Sequence, residues 1–155
     1  MSNTQDNLQK FLNGIFALAP EEIKLYEEAF IHSSKKCGNN SLLNNQRLAF
    51  LGDSVLKLII REHFYSKYPD WDKGKLTKIC GEEKESNKNF ANIAIKLELV
   101  NYMDIENRPP DSETHERLNA EALEALFGAI YLNRGFDETK RIVEKFILTN
   151  LVTVD

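Results

Sequence analysis

Apolar residues recur at three- and four-residue spacing along most of the chain, and no alternating run is long enough to suggest a strand. Leu8, Phe11, Leu12, Ile15 and Phe16 predict an amphipathic helix over residues 6–18. Pro20 suits a first helical position, and Glu21 and Glu22 suit the positive end of a helix. A second helix is therefore expected to run to about His32, with Ile23, Tyr26, Phe30 and Ile31 facing inward. Residues 35–44 are polar, contain Gly38-Asn39-Asn40, and read as a loop. A long central helix should run from about Asn44 to Lys67. Leu48, Leu51, Val55, Leu56, Leu58, Ile59, Ile60 and Phe64 leave it little polar face before Arg61, Glu62 and His63, as in a helix buried at the centre of a domain. Tyr68-Pro69-Asp70 should stop it.

Ser86 or Asn87 can cap the next helix, which buries Phe90, Ile93, Ala94 and Leu97. Residues 104–115, with Pro109-Pro110, read as the longest loop. A second strongly apolar helix follows and should end at Gly135. A last amphipathic helix uses Ile142, Val143, Phe146 and Ile147. The pattern predicts an all-α fold with a single domain over residues 1–155, and no second domain after Asp155.

Bulk properties narrow the classes. A chain of 155 residues suits one core. No apolar run reaches the roughly 18 residues a membrane span needs. The polar start Met1-Ser2-Asn3-Thr4-Gln5-Asp6 lacks a signal-peptide pattern, so a cytoplasmic or other intracellular protein is expected. Cys37 and Cys80 then read as free thiols. A net charge of −4 argues against gripping nucleic acid by bulk positive charge. It leaves open a local basic surface, or an acidic site that meets phosphate through metal ions.

The two apolar helices carry acids where acids are costly. Gln46, Ala49 and Asp53 share one face of the central helix, and Glu121 and Glu124, three apart, share a face of theirs. Glutamates at that spacing usually mark a solvated face, but Ala120, Ala122, Leu123, Ala125, Leu126 and Phe127 surround this pair. A buried carboxylate must be paired or hold a cation. Few bases lie nearby, so Asp53, Glu121 and Glu124 are expected to converge on a shared divalent ion. Hard oxygen ligands select Mg²⁺, with Mn²⁺ as the alternative. Phosphodiester cleavage is the matching chemistry.

At these residues the chain resembles the ribonuclease III family. Asn45-Gln46-Arg47-Leu48-Ala49-Phe50-Leu51-Gly52-Asp53-Ser54-Val55-Leu56 is similar to that family's signature. Ala29-Phe30-Ile31-His32-Ser33-Ser34, Ser86-Asn87-Lys88-Asn89-Phe90-Ala91, and the segment from Ala120-Glu121 through Glu124-Ala125 to Ile130-Tyr131 match further segments in order. The resemblance implies an all-helical, Mg²⁺-dependent endonuclease domain. It would pair with a second copy through the signature helix, with Gly52 permitting close packing of that dimer helix. It would cut double-stranded RNA to leave 5′-phosphate and 3′-hydroxyl ends. By the same resemblance Asp53 and Glu124 are catalytic, and Asp53, Glu121 and Glu124 bind metal. Gln46 and Arg117 would support them. Lys75, Lys78, Lys84 and Lys88 are candidate RNA contacts, with a plain solvated face as the alternative. His32 reads as a hydrogen-bonded structural residue.

Two departures stand out. Glu121 replaces the family's usual Asp, keeping the carboxylate on a longer stem. Ala49 stands where the family has a glutamate, and a methyl group cannot ligate metal. Ala49 is open to three explanations: a substitution made to inactivate the enzyme, a natural non-cutting paralogue, or compensation by Gln46 or Glu121. The expectation is impaired cleavage. The rival class is a catalytically silent dimeric scaffold or double-stranded-RNA-binding module. The double-stranded-RNA-binding domain that many members add after the nuclease domain is not expected within residues 1–155.

Overall fold

A computed structural model of the chain describes residues 3–19, 21–35, 43–106 and 112–149. Its elements are α1 (Asn3–Phe16), α2 (Ile23–Ala29), α3 (Gln46–Lys67), α4 (Lys73–Lys78), α5 (Asn87–Lys96) and α6 (Ser112–Val143). π-helical turns extend α4 over Ile79–Lys84 and α6 over Glu144–Leu148, and a 3₁₀ turn covers Leu99–Tyr102. Among the described residues there is no strand, only an isolated bridge between Ile31 and Asp104.

α6 is the hub, with α2, α3 and α5 packed along it. Every residue of α6 from Ala122 to Ile130 is buried except Glu124, which is half-buried. Phe16, at the end of α1, meets Phe127 and Phe146 edge-on, with ring centroids 6.3 and 5.1 Å apart, so α1 closes the hub's far side. α6 breaks at Gly135, whose φ of 78° lies in the left-handed region that glycine tolerates without strain. The expected terminator is thus present, and Ile142, Val143 and Ile147 beyond it are buried.

Several local signals act as the sequence implies. Ser86 caps α5 by accepting from the Asn89 N–H at 3.3 Å. α3 ends at Tyr68, ahead of Pro69. The thiol of Cys80 is buried and free, whereas Cys37 lies outside the described residues. Pro20, most of the 35–44 loop and Pro109-Pro110 lie outside them too. His32 is hydrogen-bonded through Nδ1, 2.9 Å from Ser34 Oγ.

Other expectations need correction. α2 stops at Ala29 instead of about His32, because the backbone beyond it is committed elsewhere. Asp104 N–H donates to the Phe30 carbonyl at 2.8 Å, His32 N–H to the Asp104 carbonyl at 3.0 Å, and Asn45 N–H to the Ile31 carbonyl at 2.8 Å. This stitch fixes the start of α3 against the end of α2. α6 begins at Ser112, inside the stretch read as loop. α4 has no periodic signal; it starts because Asp72 Oδ1 accepts from the Lys75 N–H at 2.9 Å. Arg61 then clasps the segment to α3 with paired 2.8 Å bonds to Glu85. Nor is α3 apolar all round to an internal purpose: Phe50 is 80% exposed, Leu58 56% and Tyr65 71%.

Candidate active site

The site is built where α3 crosses α6. A Cβ on Gly52 would overlap the Glu124 carbonyl oxygen and lie 2.7 Å from the Gly128 nitrogen. A Cβ on Gly128 would overlap the Leu48 carbonyl oxygen. The two helix backbones therefore touch at paired glycines. Gly52 thus lets the signature helix pack closely against α6 of its own chain. Asp53 follows one glycine directly and Glu124 precedes the other by a turn, so the crossing brings both acids to one place.

Electrostatics report their proximity. Burial pushes the Glu124 carboxyl up to about 7, with further raising by the charges of Asp53 and then Glu121, and partial relief from Lys57. Asp53 is paired, contrary to the sequence expectation. The Lys57 ammonium lies 2.8 Å from both Oδ1 and Oδ2. The signal for this was present in the sequence as a four-residue spacing on one helix face. Among the described residues, the acids do not close into a three-ligand cluster around one point.

The donor set is carboxylate oxygen throughout, the type that hard divalent cations take. A half-buried carboxyl pushed up by burial, and then by two neighbouring acids, is a site that a cation would relieve. Asp53, Glu121 and Glu124 thus fit such an ion in chemistry and charge, with one donor fewer than the family resemblance implies. Ala49 sits one turn before Asp53 and is 4% exposed, filling the fourth position with a methyl group.

The remaining candidates disperse. Gln46 is exposed and lines a groove beside Phe50 and Leu51. Arg117 is exposed on the first turns of α6. Lys75 and Lys78 on α4 and Lys88 on α5 are exposed, available to a polyanion. Lys84 is instead buried, 7% exposed, because the π-helical turn carries it inward; this removes it from any surface that meets RNA. Ser54 only back-bonds to the Phe50 carbonyl at 3.4 Å.

The raised Glu124 has a consequence for stability. Its folded-state value, about 7, exceeds the ordinary 4.5, so the native chain holds this proton more tightly than the unfolded chain does. With metal chelated, stability should fall as pH rises from about 4.5 to about 7 and then level off. Glu124→Gln removes that penalty. The variant should be more stable than the parent by about 2 kcal/mol at pH 8, after allowance for solvent screening, and the gap should close towards pH 5. Urea melts in chelator at both pH values measure it, and a gap independent of pH would contradict the assignment.

Comparisons with known proteins agree with this geometry. The Ribonuclease-III-like family model matches residues 22–151. Ribonuclease 3 of Leptospira interrogans is 40% identical over 133 residues, covering 84% of this chain and 52% of the relative. Ribonuclease 3 of a Nitratiruptor species is 35% identical over 129 residues, covering 82% and 55%. The chain thus spans about half the length of these curated relatives. The solved nuclease domain of ribonuclease III from Campylobacter jejuni superposes with a TM-score of 0.81 at 30% identity, covering 100% of both chains. A second structure of that domain, with a TM-score of 0.80, 31% identity and coverage of 91% and 96%, describes structural flexibility in a region involved in dimer formation. The family match runs through both acid-bearing helices and the glycines that join them, and on it this chain belongs to the ribonuclease-III-like family.

Proposed function

We propose that the chain is the nuclease domain of a double-stranded-RNA endonuclease that works with Mg²⁺ or Mn²⁺ and is impaired by Ala49. The observation that carries this reading is the glycine crossing of α3 and α6, which sets Asp53 beside Glu124; burial, and then the charges of Asp53 and Glu121, push the Glu124 carboxyl up to about 7. Asp53 and Glu124 would hold the ion from two different helices, and Glu121 would reach it on its longer stem. A bound divalent ion supplies charge neutralisation at the scissile phosphate and a water acidic enough to attack it. The chain's own part is positioning. The glycine crossing fixes the spacing of α3 and α6, and the Arg61–Glu85 clasp holds the lysine-bearing α4 beside them. Lys75, Lys78 and Lys88 would meet phosphates of an RNA duplex recognised by shape. The products would carry 5′-phosphate and 3′-hydroxyl ends.

We further propose that the chain works as a homodimer through the outer face of α3. Phe50, Leu58 and Tyr65 form an apolar stripe there. Beside Phe50 lies a groove of about 670 Å³ lined by Leu25, Leu48, Leu51 and Leu132, large enough to seat an aromatic ring from a second copy. That dimer formation is described for the Campylobacter jejuni domain supports a homodimer. Phe50→Arg should weaken self-association by at least about 100-fold, as loss of a buried aromatic anchor does. Analytical ultracentrifugation reads this, and an unchanged dimer would remove α3 as the interface.

A silent scaffold is the second reading, favoured by the Asp53–Lys57 pair and the Ala49 methyl. Cleavage of a perfect RNA duplex decides between them. Ala49→Glu should cut in Mg²⁺ and lose that activity on addition of Asp53→Asn, whereas a scaffold stays silent in every form.

A further inference from the structure

We propose that Lys57 is a resident cation of the acid site: its ammonium holds the Asp53 carboxylate where a divalent ion would sit, and it must leave when one binds. The inference rests on the metal-dependent reading above. Two observations carry it. The Lys57 nitrogen is 2.8 Å from each Asp53 oxygen, a symmetric contact of the kind a cation makes in spanning a carboxylate. The same charge also eases the burial and crowding at Glu124, on the other helix, so it acts on both acids of the crossing.

Among the described residues, the next cation along α3 is already committed elsewhere. Arg61, one turn further along α3, is engaged by both oxygens of Glu85. Ala49, one turn before Asp53, brings no charge. The ammonium therefore offsets the Asp53 charge, and an arriving ion meets one negative charge fewer than the acids alone provide. The ammonium can be displaced. Lys57 and Asp53 keep 36% and 32% of their side-chain surface exposed, so the pair is screened, and a lysine stem is flexible enough to swing its nitrogen into water.

An ammonium that only steadies Asp53 for the metal would predict the opposite sign, because its removal would then weaken binding. The test is a Mn²⁺ titration of the whole chain, with free Mn²⁺ followed by electron paramagnetic resonance. The parent, Lys57→Met and Lys57→Arg are compared, each checked for folding by circular dichroism. Lys57→Met should bind Mn²⁺ about tenfold more tightly than the parent, the scale set by removing one like charge from a partly screened site. Lys57→Arg, which keeps the charge, should not tighten binding, and adding Asp53→Asn to Lys57→Met should erase the gain. Unchanged or weaker binding by Lys57→Met overturns the inference, and if Asp53→Asn still lowers the parent's affinity, the metal site itself survives. If no form binds Mn²⁺, Ala49→Glu included, the inference and the metal reading fall together.

Discussion

Ala49→Glu is expected to raise Mg²⁺-dependent cleavage of an RNA duplex by roughly 10²- to 10³-fold, the scale on which one well-placed electrostatic group acts in a catalytic site. Ala49 lies one helical turn before Asp53, so a carboxylate there projects from the same side of α3 and supplies the missing oxygen donor. The position is buried, and the substitution therefore has a cost in the metal-free protein. It adds a negative charge to a site where Glu124 already resists ionisation. With metal chelated, the variant should be less stable than the parent by about 1–3 kcal/mol, the penalty for an imperfectly compensated buried polar group. Mg²⁺ or Mn²⁺ should restore its melting temperature while barely moving that of the parent. Cleavage and melting, each with and without metal, check both halves. Equal cleavage by the two forms would remove the active-site assignment of α3.

Gly52→Ala should lower stability by more than about 4 kcal/mol or prevent folding. The added methyl would occupy the space of the Glu124 carbonyl oxygen, which is fixed backbone within a helix and cannot turn aside. Relief requires α3 and α6 to separate, which would also pull Asp53 away from Glu124. Gly14→Ala is the matched control. Gly14 lies within α1 with nothing inside 4 Å of a built Cβ, so the change should be neutral or stabilise by up to about 1 kcal/mol through helix propensity alone. Chemical denaturation of the two variants measures the contrast. A small loss at Gly52 would mean that the helices are less closely packed than described.

Much of the architecture was legible in the residues. The 3.6-residue pattern finds α1, α3, α5 and α6, Ser86 marks a start, and Tyr68-Pro69 and Gly135 mark stops. The signature residues found Asp53 and Glu124, and geometry puts them at one crossing. What local sequence could not say concerns choice of partner. Nothing near Gly52 tells whether it packs on its own chain or on another. Leu58 looks like a core residue until the helix is placed and one of its faces is left uncovered. Lys84 looks like a surface lysine because a π-helical turn rotates later side chains away from the regular wheel. Lys57 was legible and overlooked: its spacing from Asp53 is that of an ordinary helical ion pair. α4 depends on the Asp72 cap alone, which is too weak a sign without the clasp from Arg61.

The paired glycines also bear on what a motif can testify to. Neither position has room for any side chain, so selection for a folded product alone would preserve both, in a lineage that cuts RNA and in one that has ceased to. A glycine kept beside Asp53 is therefore a witness to architecture. Testimony about chemistry has to come from the charged neighbours, which the helix crossing would tolerate in other forms.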